Sequence, residues 1–524
     1  MIFKEELISP RKYSLILVFF GLLLSIAVLL FVFIQLRTTF ALNSVEIDYE
    51  KLAQIKPTDK IQVYFNKGSD HSYQEGNARE ANENIYFQDL IIERINNAEE
   101  SIDLAVMYLE DLDIIEALKI AETRGIKIRI VTDFEKFKEL KELLRDTNIE
   151  IIDNNGGIVE EGYTSEKSIM HYKFGLFDHE SLDNSYLITT SANWNNKDLN
   201  LNANNLVLIQ DQSLIKAYLG EFEQLWSGKF NRNKDLTKNR GDLFEIDGRI
   251  VELWFSPAED PFSSFQMRLI NLFREAEESI YFAAFNFTLP ALSRELDSKF
   301  QEGIDLKGVV NDGVWDLNVS VLLDMRGIEH GKLFMPWEKI PFENIRHDAI
   351  EGEPAFHYKY FIIDENIAVT GATNPTTSAV YTNDEDLLII HDPLIANEFK
   401  QNFLYHYAKY GGITEKSIIK IEDFDYDNDL ITLKNLSNED INIQNWRFIS
   451  SKRVLNLKDY VPKKEYLIEE EIIIPAKSEL ELMVARNFVP NNNINDKFPV
   501  TNHYDDGEIY LLDNFDLLHH MIWY

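Results

Sequence analysis

At 524 residues the chain is too long for one ordinary domain, and 45% hydrophobic with 27% charged content makes it globular rather than disordered. Its 88 acidic against 52 basic residues give a formal net charge of −36, which offers a polyanion no long-range attraction and argues against a protein that coats nucleic acid, while leaving room for a small basic cleft. The lack of cysteine removes disulfides, thiolate chemistry and cysteine-based zinc sites.

The first predicted element is apolar. From Tyr13 to Leu36 the stretch "YSLILVFFGLLLSIAVLLFVFIQL" holds no charged residue. As a helix it spans about 36 Å at ~1.5 Å per residue, enough to cross a bilayer. It is longer than the apolar part of a signal peptide, and no small-residue cleavage site follows, so the expectation is a retained anchor over residues 1–36. Lys4, Arg11 and Lys12 precede it, and acidic residues soon follow Arg37. That asymmetry predicts a cytoplasmic N-terminus with the rest of the chain outside, and the lack of a second comparable run in the sequence predicts a single pass.

Two similar units come next, expected at 60–230 and 245–411. Each opens on a short strand, "KIQVYFNKG" from Lys60 and "IVELWFSP" from Ile250. An amphipathic helix follows, passing through "AEES" into an apolar strand: "LIIERINNAEESIDLAVMYL" in the first and "RLINLFREAEESIYFAAFNF" in the second. Another helix and strand complete the pattern. Alternating helices and strands predict an α/β fold of two duplicated lobes, with mainly parallel sheets and helices on both faces. A duplication of this length predicts a site at the interface of the lobes. The polar stretch from Gly228 to Asp242 reads as their connection.

Beyond about Gly412 the pattern becomes short alternating strands separated by polar turns, an all-β sandwich expected at 415–524. The acidic run "DFDYDND" from Asp423 resembles a calcium loop but lacks the glycine and the final glutamate of an EF-hand, so it reads as a solvated turn.

The chemistry lies in two further matching stretches, "HYKFGLFD" from His171 and "HYKYFIID" from His357. Alternation puts the histidine and the lysine of each on one face of a strand, and a cation buried there requires a negative partner. Each stretch is followed by a conserved pair of offsets within the chain itself: Asn193 lies eleven residues before Asn204, and Asn374 eleven before Glu385. One H-x-K-x-x-x-x-D match carries little information; two in corresponding places of two like halves carry far more.

On these residues the stretch from Lys60 to Gly411 resembles the phospholipase D superfamily. The resemblance implies a metal-independent phosphodiesterase, without cofactor, whose single site forms at the pseudo-two-fold interface. The matching catalytic residues are His171, Lys173, Asp178 and Asn193 with His357, Lys359, Asp364 and Asn374, joined by Glu385. A carboxylate common in the family at the position of Asn204 is missing. One imidazole attacks phosphorus to form a phosphohistidine, and the other protonates the leaving alkoxide and then activates water or an alcohol. The lysines and asparagines converge on the non-bridging oxygens, so the missing negative partner is the substrate phosphate. Asp178 and Asp364 are expected to be structural rather than chemical, orienting neighbours in the site, and Trp194 either lines the entrance or packs in the core. Glu385 is expected beside His357, keeping it protonated as the general acid and leaving His171 as the nucleophile.

The tail, from "LKNLSNEDINIQNWRF" to "DGEIYLLDNFDLL", resembles a lamin-tail domain, an immunoglobulin-like sandwich, which implies binding of a ligand that the sequence does not name. The combined expectation is a membrane-anchored enzyme that hydrolyses or transfers phospholipid head groups. The same chemistry admits a nuclease acting on nucleic acid, and an adhesion or scaffold protein with inactive lobes is the alternative of another class.

Overall fold

The computed structural model describes residues 47–154, 168–238, 241–311, 313, 344–348, 354–425, 430–452, 464–483, 507–512 and 518–523. The chain separates into a short unit, Met1–Asp48, and a main unit, Tyr49–Tyr524, which holds the helices and strands of the described residues. The apolar run expected to form an anchor lies outside the described residues. Among the described residues no helix is long and apolar enough to cross a membrane.

Helix α1 (Tyr49–Gln54) leads to β1 (Ile61–Phe65), whose alternation buries Ile61, Val63 and Phe65. Then come α2 (Phe87–Asn97), β2 (Ser101–Val106), α3 (Leu112–Thr123), β3 (Lys127–Thr132), α4 (Phe134–Leu143) and β4 (Glu150–Asp153). Asp111 and Asp133 start α3 and α4 by accepting from backbone N–H groups of the first turn, which have no partner inside the helix. The lobe closes with β5 (Lys173–Phe177), β6 (Tyr186–Thr190), a π turn at Lys197–Leu201, β7 (Asn205–Ile209) and α5 (Gln212–Trp226). Its seven strands are ordered β1-β7-β6-β5-β2-β3-β4.

The second lobe repeats this plan. It consists of β8 (Asp242–Ile246), β9 (Arg249–Ser256), α6 (Phe265–Glu275), β10 (Ser279–Ala284), α7 (Pro290–Gln301), β11 (Asp305–Val310), β12 (Ile345–His347), β13 (Lys359–Ile363), β14 (Ile367–Gly371), α8 (Thr377–Tyr381), β15 (Glu385–His391) and α9 (Pro393–Lys409). The sheet order is β12-β11-β10-β13-β14-β15-β9-β8.

The expectation of mainly parallel sheets is corrected. In the first lobe only β2–β3 and β3–β4 pair in parallel, and in the second only β10–β11 and β11–β12. All other neighbours are antiparallel. The reason lies in the connections: β5 to β6 and β13 to β14 are joined by turns too short for a crossover helix, so the chain must fold back on itself.

Helices do cover both faces. On the outer face of the first lobe, α2 and α3 bury Ile91, Ile95, Ile114 and Leu118 against β2 and β3. The inner face belongs to a core shared by both lobes, where Tyr172 and Tyr218 of the first lobe meet Phe255 of the second at ring-centroid distances of 6.0 and 5.2 Å, and Phe174 packs on both tyrosines at 5.3 and 5.0 Å. Phe399 and Phe403 of α9 extend this layer. Each such side chain contributes about 1.5–3 kcal/mol on burial, so the lobes are held together by a continuous aromatic interior rather than by a hinge.

The tail consists, among the described residues, of antiparallel strands only: β16 (Ile419–Asp425), β17 (Leu430–Asn435), β18 (Ile441–Asn442), β19 (Arg447–Lys452), β20 (Lys464–Leu467), β21 (Ile473–Ile474), β22 (Glu479–Met483), β23 (Gly507–Leu512) and β24 (Leu518–Trp523). They form three small sheets around Ile421, Ile431, Leu433, Trp446 and Phe448. The acidic run begins within β16, and its residues 426–429 lie outside the described residues.

Candidate active site

The site grows from the first residues of two equivalent strands. Lys173 opens β5 and Lys359 opens β13, each with its side chain buried at the lobe interface. His171 and His357 sit two residues earlier, nearly buried as well. Both are anchored across the interface: the His171 N–H donates to Asp384 O and the His357 N–H to Ala203 O, each at 2.9 Å. Side chains repeat the exchange, with Thr189 donating to Asp386 and Asn205 to Thr370, both at 2.7 Å. The pseudo-two-fold therefore runs between the two histidines.

This exchange corrects the expected partners. Glu385 does not serve His357. Its Oε2 lies 3.1 Å from His171 Nδ1, across the interface. His357 instead has Asn204 of the first lobe, whose Oδ1 accepts from Nδ1 at 2.9 Å. Each lobe's downstream residue reaches the other lobe's histidine because β7 and β15 begin at the interface, directly against the opposite histidine-bearing loop.

The lysines are held locally. Lys173 donates to His171 O at 2.8 Å and Lys359 to His357 O at 2.9 Å. Lys359 Nζ also lies 3.1 and 3.2 Å from the two ring nitrogens of His357, beside the Phe285 ring. Asn193 donates from Nδ2 to Asp198 at 2.7 Å, and the Asn374 N–H donates to Glu385 Oε2 at 3.3 Å. The side-chain oxygens of Asn193 and Asn374 are buried without a hydrogen-bond partner among the described residues.

Electrostatics follow from this crowding. Burial lowers His171 below the usual histidine value, with Glu385 opposing and Lys173 adding to the shift. His357 is pushed much further down, by burial first and then by Lys359, Lys173, His171 and Lys197. Burial brings Lys173 down to about 8 against the pull of Glu385 and Asp198. Lys359 falls well below the usual lysine range through burial and Lys173. Four basic groups share one small volume, which disfavours the charged form of each, and a bound anion favours it.

Asp178 and Asp364 lie elsewhere, and the expectation that they orient neighbours in the site is corrected. Each follows the far end of its strand, about 16 Å from the lysine by the rise of an extended chain. Asp178 accepts from the backbone N–H groups of Glu99, Glu100 and Ser101, at 2.7 to 3.1 Å. Asp364 accepts from Glu277, Glu278 and Ser279 at 2.8 to 3.1 Å. Both adopt φ of 49°, a left-handed conformation that a short polar side chain tolerates. The two repeats "AEES" and "D" are thus halves of one device, a carboxylate clamping the turn that launches β2 or β10. Trp194 is fully buried in the outer core of the first lobe, where it packs over Gly175 of β5.

Three residues escaped the sequence reading. Asp198 lies among asparagines in "NWNNKDLNLN", with no distinguishing pattern of its own. Lys234, in the supposedly solvated connection, is fully buried and ion-paired to Glu221 and, at 2.8 Å, to Asp384. It also bonds Tyr172 Oη at 3.1 Å, so this cluster fixes the neighbours of both His171 and Glu385. Burial raises Asp384 to about 7 even beside that lysine. Phe285, 4.4 Å from the His357 ring centroid, is the third. The placing of a charge in an Asn-rich linker carries no local signal of its burial.

A duplicated α/β fold that brings two His-Lys pairs together across a pseudo-two-fold defines a phospholipase D-like protein, a superfamily of phosphodiesterases. Residues 91–226 and 269–407, together more than half of the chain, match the family described as "Cardiolipin synthase, PLD-like domain", and the chain belongs to that family. The mitochondrial cardiolipin hydrolase of Homo sapiens is 26% identical over a segment covering 26% of this chain and 49% of that protein. This chain thus spans about half the length of the curated relatives it matches. Among solved structures, the phosphatidylserine synthase of Haemophilus influenzae Rd KW20 aligns with a TM-score of 0.46 at 14% identity, covering 67% of this chain and 88% of that one. The phospholipase D family member Nuc from Salmonella typhimurium aligns with a TM-score of 0.25 at 23% identity, covering 30% of this chain and 92% of that one.

Proposed function

We propose that this protein hydrolyses or transfers the head-group phosphodiester of phospholipids through a phosphohistidine on His171. The observation that carries the reading is the contact between His171 Nδ1 and Glu385. Nδ1 makes no hydrogen bond of good geometry among the described residues, but a carboxylate 3.1 Å away favours the proton on Nδ1, leaves Nε2 as the lone pair that faces phosphorus, and stabilises the positive ring formed on phosphorylation. His357 supplies the proton to the leaving alkoxide and recovers it from the incoming water or alcohol. Lys173, Lys359, Asn193 and Asn374 hold the non-bridging oxygens.

The relatives named as cardiolipin hydrolases, together with the family's own description, support a phospholipid substrate. So does the apolar stretch from Tyr13 to Leu36, read as an anchor that keeps the lobes on the extracytoplasmic side of a membrane. Protease added to spheroplasts checks that orientation: digestion of the lobes supports it, and full protection refutes it. The β-rich tail, read as a lamin-tail-like sandwich, serves as a binding module.

The deciding experiment presents the enzyme, in EDTA, with phosphatidylcholine or cardiolipin vesicles and with plasmid DNA, followed by acid quench and peptide mass spectrometry. Head-group release with the adduct on His171 supports the reading. Nicked DNA with intact lipid favours the nuclease. Cleavage of neither, with no trapped adduct, favours a binding protein.

A further inference from the structure

The internal duplication provides its own reference. Eleven residues after Asn374 stands Glu385, but eleven after Asn193 stands Asn204, so one histidine faces a carboxylate and the other an amide. The first lobe nonetheless keeps a buried carboxylate in the same segment. Asp198 lies five residues after Asn193, where the second lobe has Ala379 five after Asn374.

We propose that Asn204, where the second lobe has Glu385, is a positioning residue that holds His357 neutral with Nε2 unprotonated, while Asp198 supplies the first lobe's buried carboxylate and serves the lysines and Asn193.

The orientation of Asn204 is fixed by its bonds. Its Nδ2 donates to Asp198 O at 2.8 Å and to Asn202 O at 3.3 Å, and its Oδ1 accepts from Ser191 Oγ at 2.8 Å. Only Oδ1 is left to meet His357, so His357 donates from Nδ1, and in the neutral ring Nε2 is the unprotonated nitrogen, 3.2 Å from Lys359 Nζ. An amide oxygen accepts that N–H as a carboxylate does, but brings no charge to stabilise the imidazolium. The strongest charged influences on the ring are Lys359, Lys173, His171 and Lys197, all cationic when protonated, while the carboxylates of Glu385 and Asp198 act on the adjoining Lys359. Asp198 acts elsewhere: its carboxylate accepts from Asn193 and Asn202 and opposes the depression of Lys173 and Lys359. It sits in a π turn, a helical irregularity often found at functional sites.

The consequence rests on the phosphohistidine reading. In the first step the bond from His171 Nε2 to phosphorus forms, the bond to the leaving alkoxide breaks, and that oxygen takes the proton from His357 Nε2. In the second step water attacks phosphorus, its proton passes to His357 Nε2, and the phosphorus–nitrogen bond returns its electron pair to His171. A resting neutral His357 is ready for the second step but must first be protonated from solvent for the first. Cleavage of an alkyl leaving group therefore fades as pH rises, whereas an aryl leaving group, needing no proton, escapes this limit.

The test pairs an NMR titration of the full-length protein, with His357→Ala assigning the resonance, and pH profiles on phosphatidylcholine and on its p-nitrophenyl counterpart. Asn204→Asp should raise the titration point of His357 by at least one pH unit and shift the alkaline limb of kcat/KM for phosphatidylcholine equally, leaving the p-nitrophenyl profile in place. Asp198→Asn should move the His357 titration far less than Asn204→Asp does, through the lysines alone, while raising KM. The converse variant Glu385→Gln should lower the titration point of His171 by at least one unit, and it carries the test if Asn204→Asp does not fold. An unmoved titration in Asn204→Asp, or one moved as far by Asp198→Asn, overturns the proposal. Absence of any phosphodiester cleavage by the wild type would remove the catalytic reading, while the titrations would still decide the role of Asn204.

Discussion

Replacing Asp178 separates a structural clamp from a catalytic group. In the wild type its Oδ1 accepts from the N–H groups of Glu99, Glu100 and Ser101 at 3.1, 2.7 and 3.0 Å, and its Oδ2 from Glu99 at 2.9 Å. Bonds to a charged group contribute about 1.5–3 kcal/mol each, less where water can replace them. Asp178→Ala removes all of them from a partly buried turn, so a loss of about 3–5 kcal/mol is expected. Asp178→Asn keeps Oδ1 as an acceptor but turns an N–H toward the Glu99 N–H and discards the charge; a loss of about 2 kcal/mol follows. Against a total stability of ~5–15 kcal/mol these are large fractions. Urea denaturation measures them, and kcat/KM per folded molecule at low temperature should stay within about threefold of wild type. Asp364→Asn, clamping the equivalent turn, should behave alike. A thousandfold loss of activity with unchanged stability would refute the clamp and return these carboxylates to the chemistry.

Two further outcomes follow from burial. Binding of inorganic phosphate or vanadate near pH 7 should take up protons, because His171, His357 and both lysines sit below their ordinary values in the open cleft and an anion reverses this; calorimetry in buffers of differing ionisation enthalpy reads the uptake, and heats independent of buffer would contradict it. His406 of α9 is buried among Phe356, Tyr358 and Tyr410, with neither ring nitrogen hydrogen-bonded among the described residues, and burial pushes it well below the usual histidine value. The unfolded chain therefore binds the proton first, so its contribution is intact above about pH 6.5 and is lost by roughly 1.4 kcal/mol per unit as pH falls below that. His406→Phe should flatten the decline in stability between pH 6.5 and 5 by that slope, and an equal decline in both proteins would count against it.

The sequence by itself determined what is local and periodic. Two residues along a strand return to the same face, so His171 with Lys173, and His357 with Lys359, had to be presented together once "HYKFGLFD" and "HYKYFIID" were strand entries. The duplication, the alternation of helix and strand, and the change to a tail whose described residues form only strands were legible for the same reason: each is a pattern within one window of chain. Tertiary structure decided everything that depends on which windows meet. Strand direction follows from how the chain returns, and the connections after Phe177 and Ile363, too short for a crossover helix, made β5–β6 and β13–β14 antiparallel. The partner of each histidine is exchanged across the pseudo-two-fold, so Glu385, near His357 in sequence, came to His171 instead. Lys234 was drawn inside by two carboxylates from different segments, and Asp178 was spent on a turn 77 to 79 residues earlier. Electrostatic partnership falls off with distance through space, and no spacing along the chain records that distance until the two lobes close on each other.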